Sequence, residues 1–165
     1  MIDNEPRPRG EPSPSVFEID LADLERRLGH RFADGDLLLR ALTHASYANE
    51  HAPEPDNEPL ALVGDAALGL VVAEHVLAAD ETAPVGVLTP RRAELVSGAN
   101  LARWAGDLGL GPLLRLGRGE DQTGGRTRES VLATALEALL GAIYLESGIA
   151  AVRDVIANLA GWRKC

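Results

Sequence analysis

The sequence predicts an all-α fold. Aromatic residues make up only 4% of the chain, so Leu, Ala and Val must fill the core. The alternation of β-branched and polar residues that marks half-buried strands is nearly absent. Two long apolar runs, Leu60 to Ala79 and Ser130 to Leu145, have the length and composition of core helices. With 45% hydrophobic residues, 165 residues suffice for one domain with a sizeable core.

The elements follow in order. Residues 1–16 are Pro-rich, charged and poor in apolar side chains, which predicts a disordered tail; residues 17–165 form the domain. Leu21, Leu24 and Leu28 share one face of a short amphipathic helix. Asp34 is an N-cap for a second helix over Asp36 to Ala45, and Tyr47 to Pro59 is a loop. The central helix follows and ends before Pro84. Thr89-Pro90 pairs a hydroxyl cap with a proline at the first helical position, which predicts a helix from Pro90 to Asp107. LGLGP, Leu108 to Pro112, ends it. Residues 115–128 form a Gly-rich basic loop. A second core helix runs from Arg128 to Glu146, and an amphipathic helix from Ala150 to Trp162 closes the fold.

Each core helix carries an isolated acid. Asp65 is the only charge between Glu58 and Glu74, and Glu137 is the only one between Ser130 and Leu145. A carboxylate alone on a buried helix is costly unless it is paired, hydrogen-bonded or bound to a metal. Taken singly, each acid could cap a loop or pair with an arginine. Together they predict a shared site for a divalent cation. Mg²⁺ takes carboxylate oxygens and keeps several waters, but two carboxylates hold it weakly.

The net charge of −9 opposes non-specific nucleic-acid binding, which depends on neutralising phosphates. A nucleic-acid role therefore requires a local basic patch or bound metal ions. The loop holding Arg115, Arg118, Arg126 and Arg128 is the candidate. Gly117, Gly119, Gly124 and Gly125 let its backbone approach a phosphate, while Glu120, Asp121 and Glu129 offset its charge. A mobile surface loop with balanced charge is the alternative. His30, His44, His51 and His75 show no metal-ligand spacing, and a structural hydrogen bond is expected of His44. Asp65, Glu74 and His75 inside the first apolar run, and flanks without basic anchors, argue for a core helix and no membrane partner. The polar N-terminus has no leader pattern. The single cysteine, Cys165, allows no internal disulfide and fits a cytoplasmic protein.

These residues resemble the endonuclease domain of the ribonuclease III family over about Leu21 to Trp162. LERRLGHRFADGDLLLRALTHASYANEH resembles the opening helices. NEPLALVGDAALGLVVAEHVL resembles the signature helix, usually NERLEFLGDAVLGLVVAE. The stretch from LTPRRAELVSGAN to LLGAIYLESG follows the family to its last motif. The resemblance implies an all-α homodimer whose valley holds one RNA duplex. Two acidic centres each hydrolyse one strand with Mg²⁺, leaving a 5′-phosphate and a 3′-hydroxyl, by the two-metal logic of phosphate hydrolysis.

The chain departs from the family pattern at the acids. Ala61 stands where the signature helix carries Glu, four residues before the retained Asp65. Thr134 stands where the later helix carries Asp, three residues before the retained Glu137. Val85 replaces a further acid, while Glu58 of the NER triplet remains, followed by Pro59. By resemblance the catalytic set is thus Asp65, Glu137 and Glu58, with Asp65 and Glu137 as ligands for Mg²⁺ or Mn²⁺. The family's C-terminal double-stranded-RNA-binding domain has no counterpart in this sequence, so weak duplex binding is expected. Three functions follow: a domain that engages double-stranded RNA with weak or lost cleavage, a slow but genuine endoribonuclease, or a non-catalytic dimeric assembly module.

Overall fold

The computed structural model describes residues 16–162. The N-terminal tail expected over residues 1–16 lies almost wholly outside them. The described residues are helical, joined by one isolated β-bridge between Thr43 and Arg115.

The first helix, α1 (Val16–Leu28), buries Leu24 and Leu28, as the leucine spacing predicts, but begins earlier than expected. Asp34 caps α2 (Gly35–Ala41), accepting from the N–H groups of Asp36 and Leu37 at 3.0 and 3.1 Å. The second helix stops at Ala41 rather than Ala45. Residues 42–44 turn out to pair with Arg115: the Arg115 N–H donates to Leu42 at 2.9 Å and the His44 N–H to Arg115 at 3.0 Å. His44 then caps α3 (Ala45–Glu50), which takes up the last residue expected of the second helix and the start of the loop expected from Tyr47. Its Nδ1 lies 2.8 Å from the Ser46 hydroxyl, the structural hydrogen bond foreseen for it.

The centre of the molecule is α4 (Glu58–Ala79) packed on α9 (Glu129–Ala160). Both are long and apolar enough to cross a membrane by length and composition, and here they bury Leu68, Val72, Leu136, Leu139, Leu140 and Ile143. Two glycines set their spacing. A Cβ built on Gly64 would stand 1.8 Å from the Glu137 carbonyl oxygen, and one on Gly141 would stand 2.0 Å from that of Leu60. The backbones touch at this crossing, so neither position has room for a side chain. Two helices expected separately at the C-terminus form one element, α9, broken at Gly148, whose φ of 77° and ψ of −179° suit glycine alone. Glu146 sits just before the break. Its carboxylate accepts from the Ala33 N–H at 3.1 Å and the Asp34 N–H at 2.9 Å, tying α9 to the start of α2.

The helix expected over Pro90 to Asp107 is two helices. α5 (Val85–Leu95) starts a full turn before Pro90, with Pro84 at its cap, and α6 (Gly98–Asp107) starts after Ser97, whose hydroxyl accepts from the Asn100 N–H at 3.2 Å. The Asn100 amide donates to the Leu95 carbonyl at 2.7 Å and so closes the end of α5. Proline is tolerated inside α5 because this helix has no buried residue, and exposed Gly86, whose carbonyl loses its donor, faces water. α6 buries Leu101 and Trp104 against α9. Gly109, at φ 72°, turns the chain into the short α7 (Leu110–Leu113). The Gly-rich loop is ordered: it contains α8 (Arg118–Gln122) and a 3₁₀ turn over Gly125–Thr127.

Candidate functional site

The crossing of α4 and α9 brings the two sequence-predicted acids together. Asp65 follows Gly64, and Gly64 packs on the backbone of Glu137 itself. Glu137 is half-buried; burial and, after it, the Asp65 charge push its carboxyl above the ordinary range. Asp65 is exposed, not buried as its apolar neighbours in sequence predicted, because α4 turns that side outward. Glu58 opens α4 two turns before Asp65. It is exposed, its N–H donates to Asp56 at 3.0 Å, and its charge takes no part in the shift of Glu137.

The positions at which the resemblance implies lost acids lie on α4, α9 and α5. Ala61 is buried, at 7% exposure, one turn before Asp65; Thr134 is partly buried, one turn before Glu137. Val85 opens α5 and is 76% exposed. Among the described residues, no three His, Cys, Asp or Glu side chains gather as a cation site. Asp65 and Glu137 repel each other as charges, and a hard cation would relieve that repulsion.

Three of the four loop arginines have internal work. The Arg115 guanidinium lies 4.3 Å over the Tyr47 ring, donates to the Thr43 hydroxyl at 3.0 Å and pairs with Glu54 at 2.9 Å. Arg126 donates to the carbonyls of Gly111 and Leu114 at 3.0 and 2.8 Å and pairs with Asp121 at 2.7 Å. Arg128 pairs with Glu120 and donates to the Thr123 carbonyl at 3.1 Å. Exposed Arg118 differs. Its N–H donates to Glu50 at 2.9 Å, and its guanidinium has no partner among the described residues. The loop is therefore a pinned platform with one outward arginine.

Sequence reasoning missed a surface. Leu62, Leu70 and Leu77 are 75%, 52% and 50% exposed along one side of α4. The signal was present, since a helix apolar on every side has more apolar surface than one core can cover.

Residues 34–160 match the family model described as Ribonuclease-III-like. The chain belongs to that family. It is 47% identical over 147 residues to ribonuclease 3 of Cereibacter sphaeroides, covering 89% of this chain and 63% of that protein. It is 46% identical over 140 residues to ribonuclease 3 of Caldanaerobacter subterraneus, covering 84% and 61%. The chain thus spans somewhat over three-fifths of the length of these relatives. Among solved structures it resembles the ribonuclease III nuclease domain of Campylobacter jejuni, with a TM-score of 0.80 and 36% identity over 84% of this chain and 94% of that one. A second structure of that nuclease domain gives a TM-score of 0.80 at 34% identity, covering 88% and 97%. The all-α ribonuclease III nuclease-domain fold expected from the sequence is the fold observed.

Proposed function

We propose that this ribonuclease III-family domain engages double-stranded RNA as a homodimer and hydrolyses it weakly or not at all. The observation that carries this reading is the reduced acidic pair. Asp65 and Glu137 meet at the α4–α9 crossing, while the acid positions one turn before each hold Ala61 and Thr134. A Mg²⁺ or Mn²⁺ ion held by Asp65 and Glu137 would supply positive charge to phosphate oxygens and acidify a water. Ala61 contributes no oxygen to that site and Thr134 a neutral one, so affinity falls and charge stabilisation with it. Glu137 is raised by burial and by the Asp65 charge and has no ion-pair partner among the described residues, so the two acids keep one cation-seeking position. That feature supports the second reading, a slow endoribonuclease.

The exposed leucines of α4 support the homodimer. Leu62, Leu70 and Leu77 recur at helical spacing, and Val85 of α5 and Tyr144 and Leu145 of α9 are also exposed. Contiguous exposed apolar residues mark interaction surfaces, and a second copy offers the same surface in return. The Campylobacter nuclease domain is described as flexible in a region involved in dimer formation. Arg118, with its free guanidinium, is the proposed phosphate contact from the loop; Arg115, Arg126 and Arg128 hold that loop in shape.

Filter binding of duplex RNA to the whole chain at increasing salt tests the proposal. Binding that weakens with salt, and weakens further in Arg118→Ala, supports it. Absence of salt-sensitive binding removes the RNA role and leaves an assembly module.

A further inference from the structure

His75 lies near the C-terminal end of α4 with its imidazole parallel to the Trp162 indole, the centroids 3.5 Å apart and the planes 4° from parallel. The stack is built in. Gly161 ends α9 in the left-handed conformation at φ 65°, and the Trp162 N–H donates back to the Ala157 carbonyl at 2.8 Å, which folds the indole onto α4. Arg153 and Glu74, paired at 2.7 Å, brace the same side. Burial pushes the imidazole below its ordinary pKa, which favours the neutral ring.

His75 also lines a cleft of about 300 Å³ between α4 and α5, which Trp162 does not border. Val76, Ala79 and Leu95 supply aliphatic walls, and exposed Arg91 and Glu94 stand at the rim. The volume is at the small end for ligand sites. Arg91 is 3.7 Å from Asp80, a loose pair in which its donors can be redirected. A flat ring fixed at one wall, aliphatic surface around it, and one donor fork beside one carboxylate complement a planar heterocycle carrying both acceptors and donors. At 100° per residue, this side of α4 is distinct from the one bearing Leu62, Leu70 and Leu77.

We propose that this cleft binds a single guanine base, taken from an unpaired nucleotide of RNA or from a free nucleotide. The base extends the stack of His75 on Trp162. Glu94 accepts from its N1–H and 2-amino group, and Arg91 donates to O6 and N7. Adenine is rejected, because it turns an acceptor toward Glu94 and a donor toward Arg91.

The test is titration of the full chain with guanosine monophosphate and adenosine monophosphate, followed by Trp162 fluorescence in a Trp104→Phe background. The sequence has only two tryptophans, so the signal then belongs to Trp162. Because Trp104 is fully buried, calorimetry on the natural chain gives the same comparison should that variant unfold. Saturable binding of the guanine nucleotide is expected, about tenfold or more stronger than the adenine one, with a similar loss in Glu94→Ala or Arg91→Ala, since a good base-edge pair discriminates by about 1–3 kcal/mol. A uridine oligonucleotide with one central guanine that binds more tightly than the free nucleotide supports RNA as the source; equal binding supports the free nucleotide. No saturation, equal binding of both nucleotides, or an unaffected Glu94→Ala overturns the proposal. Binding of a tyrosine-containing peptide in place of the guanine nucleotide also overturns it and assigns the cleft to a protein partner.

Discussion

Glu137 is the residue at which stability and function separate. Its carboxyl is pushed up by burial and by Asp65, so the folded state disfavours the charged form. A group raised in this way stabilises the fold fully below its unfolded pKa, and that contribution is lost as pH rises through the folded value. Glu137→Gln should therefore flatten the decline of melting temperature between pH 4 and pH 8 relative to the natural chain, and raise it at the alkaline end. Parallel curves for the two proteins would show that burial and the Asp65 charge do not raise the Glu137 carboxyl. This site was partly legible in the sequence, because one acid on each of two apolar helices is a visible anomaly. The exposure of Asp65 was not legible. Apolar neighbours in sequence say nothing about which side of a helix faces the core when every side is apolar.

At the scale of elements, the α4–α9 crossing fixes the site. Gly64 and Gly141 allow backbone contact, and the same contact sets Asp65 beside Glu137. Gly64→Ala would place a methyl group 1.8 Å from the Glu137 carbonyl oxygen, which must push the helices apart. The expected cost is about 3 kcal/mol, or about 6–12 °C in melting temperature for a domain of this size, measured by circular dichroism. An unchanged melting temperature would mean that the crossing is not close-packed. Helix identity was readable from long apolar runs, and the start of α2 from Asp34; the stop at Gly161 was overrun, since the closing helix was expected to reach Trp162. Boundaries were lost where a tertiary partner decided them. Pairing with Arg115 stops α2 at Ala41, and the Asn100 amide closes α5 at Leu95. Pro90 misled because proline marks a helix start only where the preceding turn is not itself helical, and here α5 is peripheral enough to carry it inside.

For the whole molecule, composition predicted the fold class, because scarce aromatics and abundant Leu and Ala leave helix packing as the means to build a core. The exposed leucine face of α4 was hidden in the same composition. Leu70→Asp changes a side chain 52% exposed in the single chain, so folding should be retained while association is lost. Analytical ultracentrifugation should find the natural chain dimeric and the variant monomeric with a similar melting temperature. A natural chain monomeric at high concentration would contradict the homodimer. We propose that the fold still places RNA while the acidic site has lost its strength. The deciding measurement is cleavage of a long duplex RNA under Mg²⁺ and Mn²⁺ titration, comparing the natural chain with Ala61→Glu/Thr134→Asp. Little or no cleavage by the natural chain and clear cleavage by the double variant is the predicted result. Efficient cleavage by the natural chain, abolished by Glu137→Gln, would contradict it.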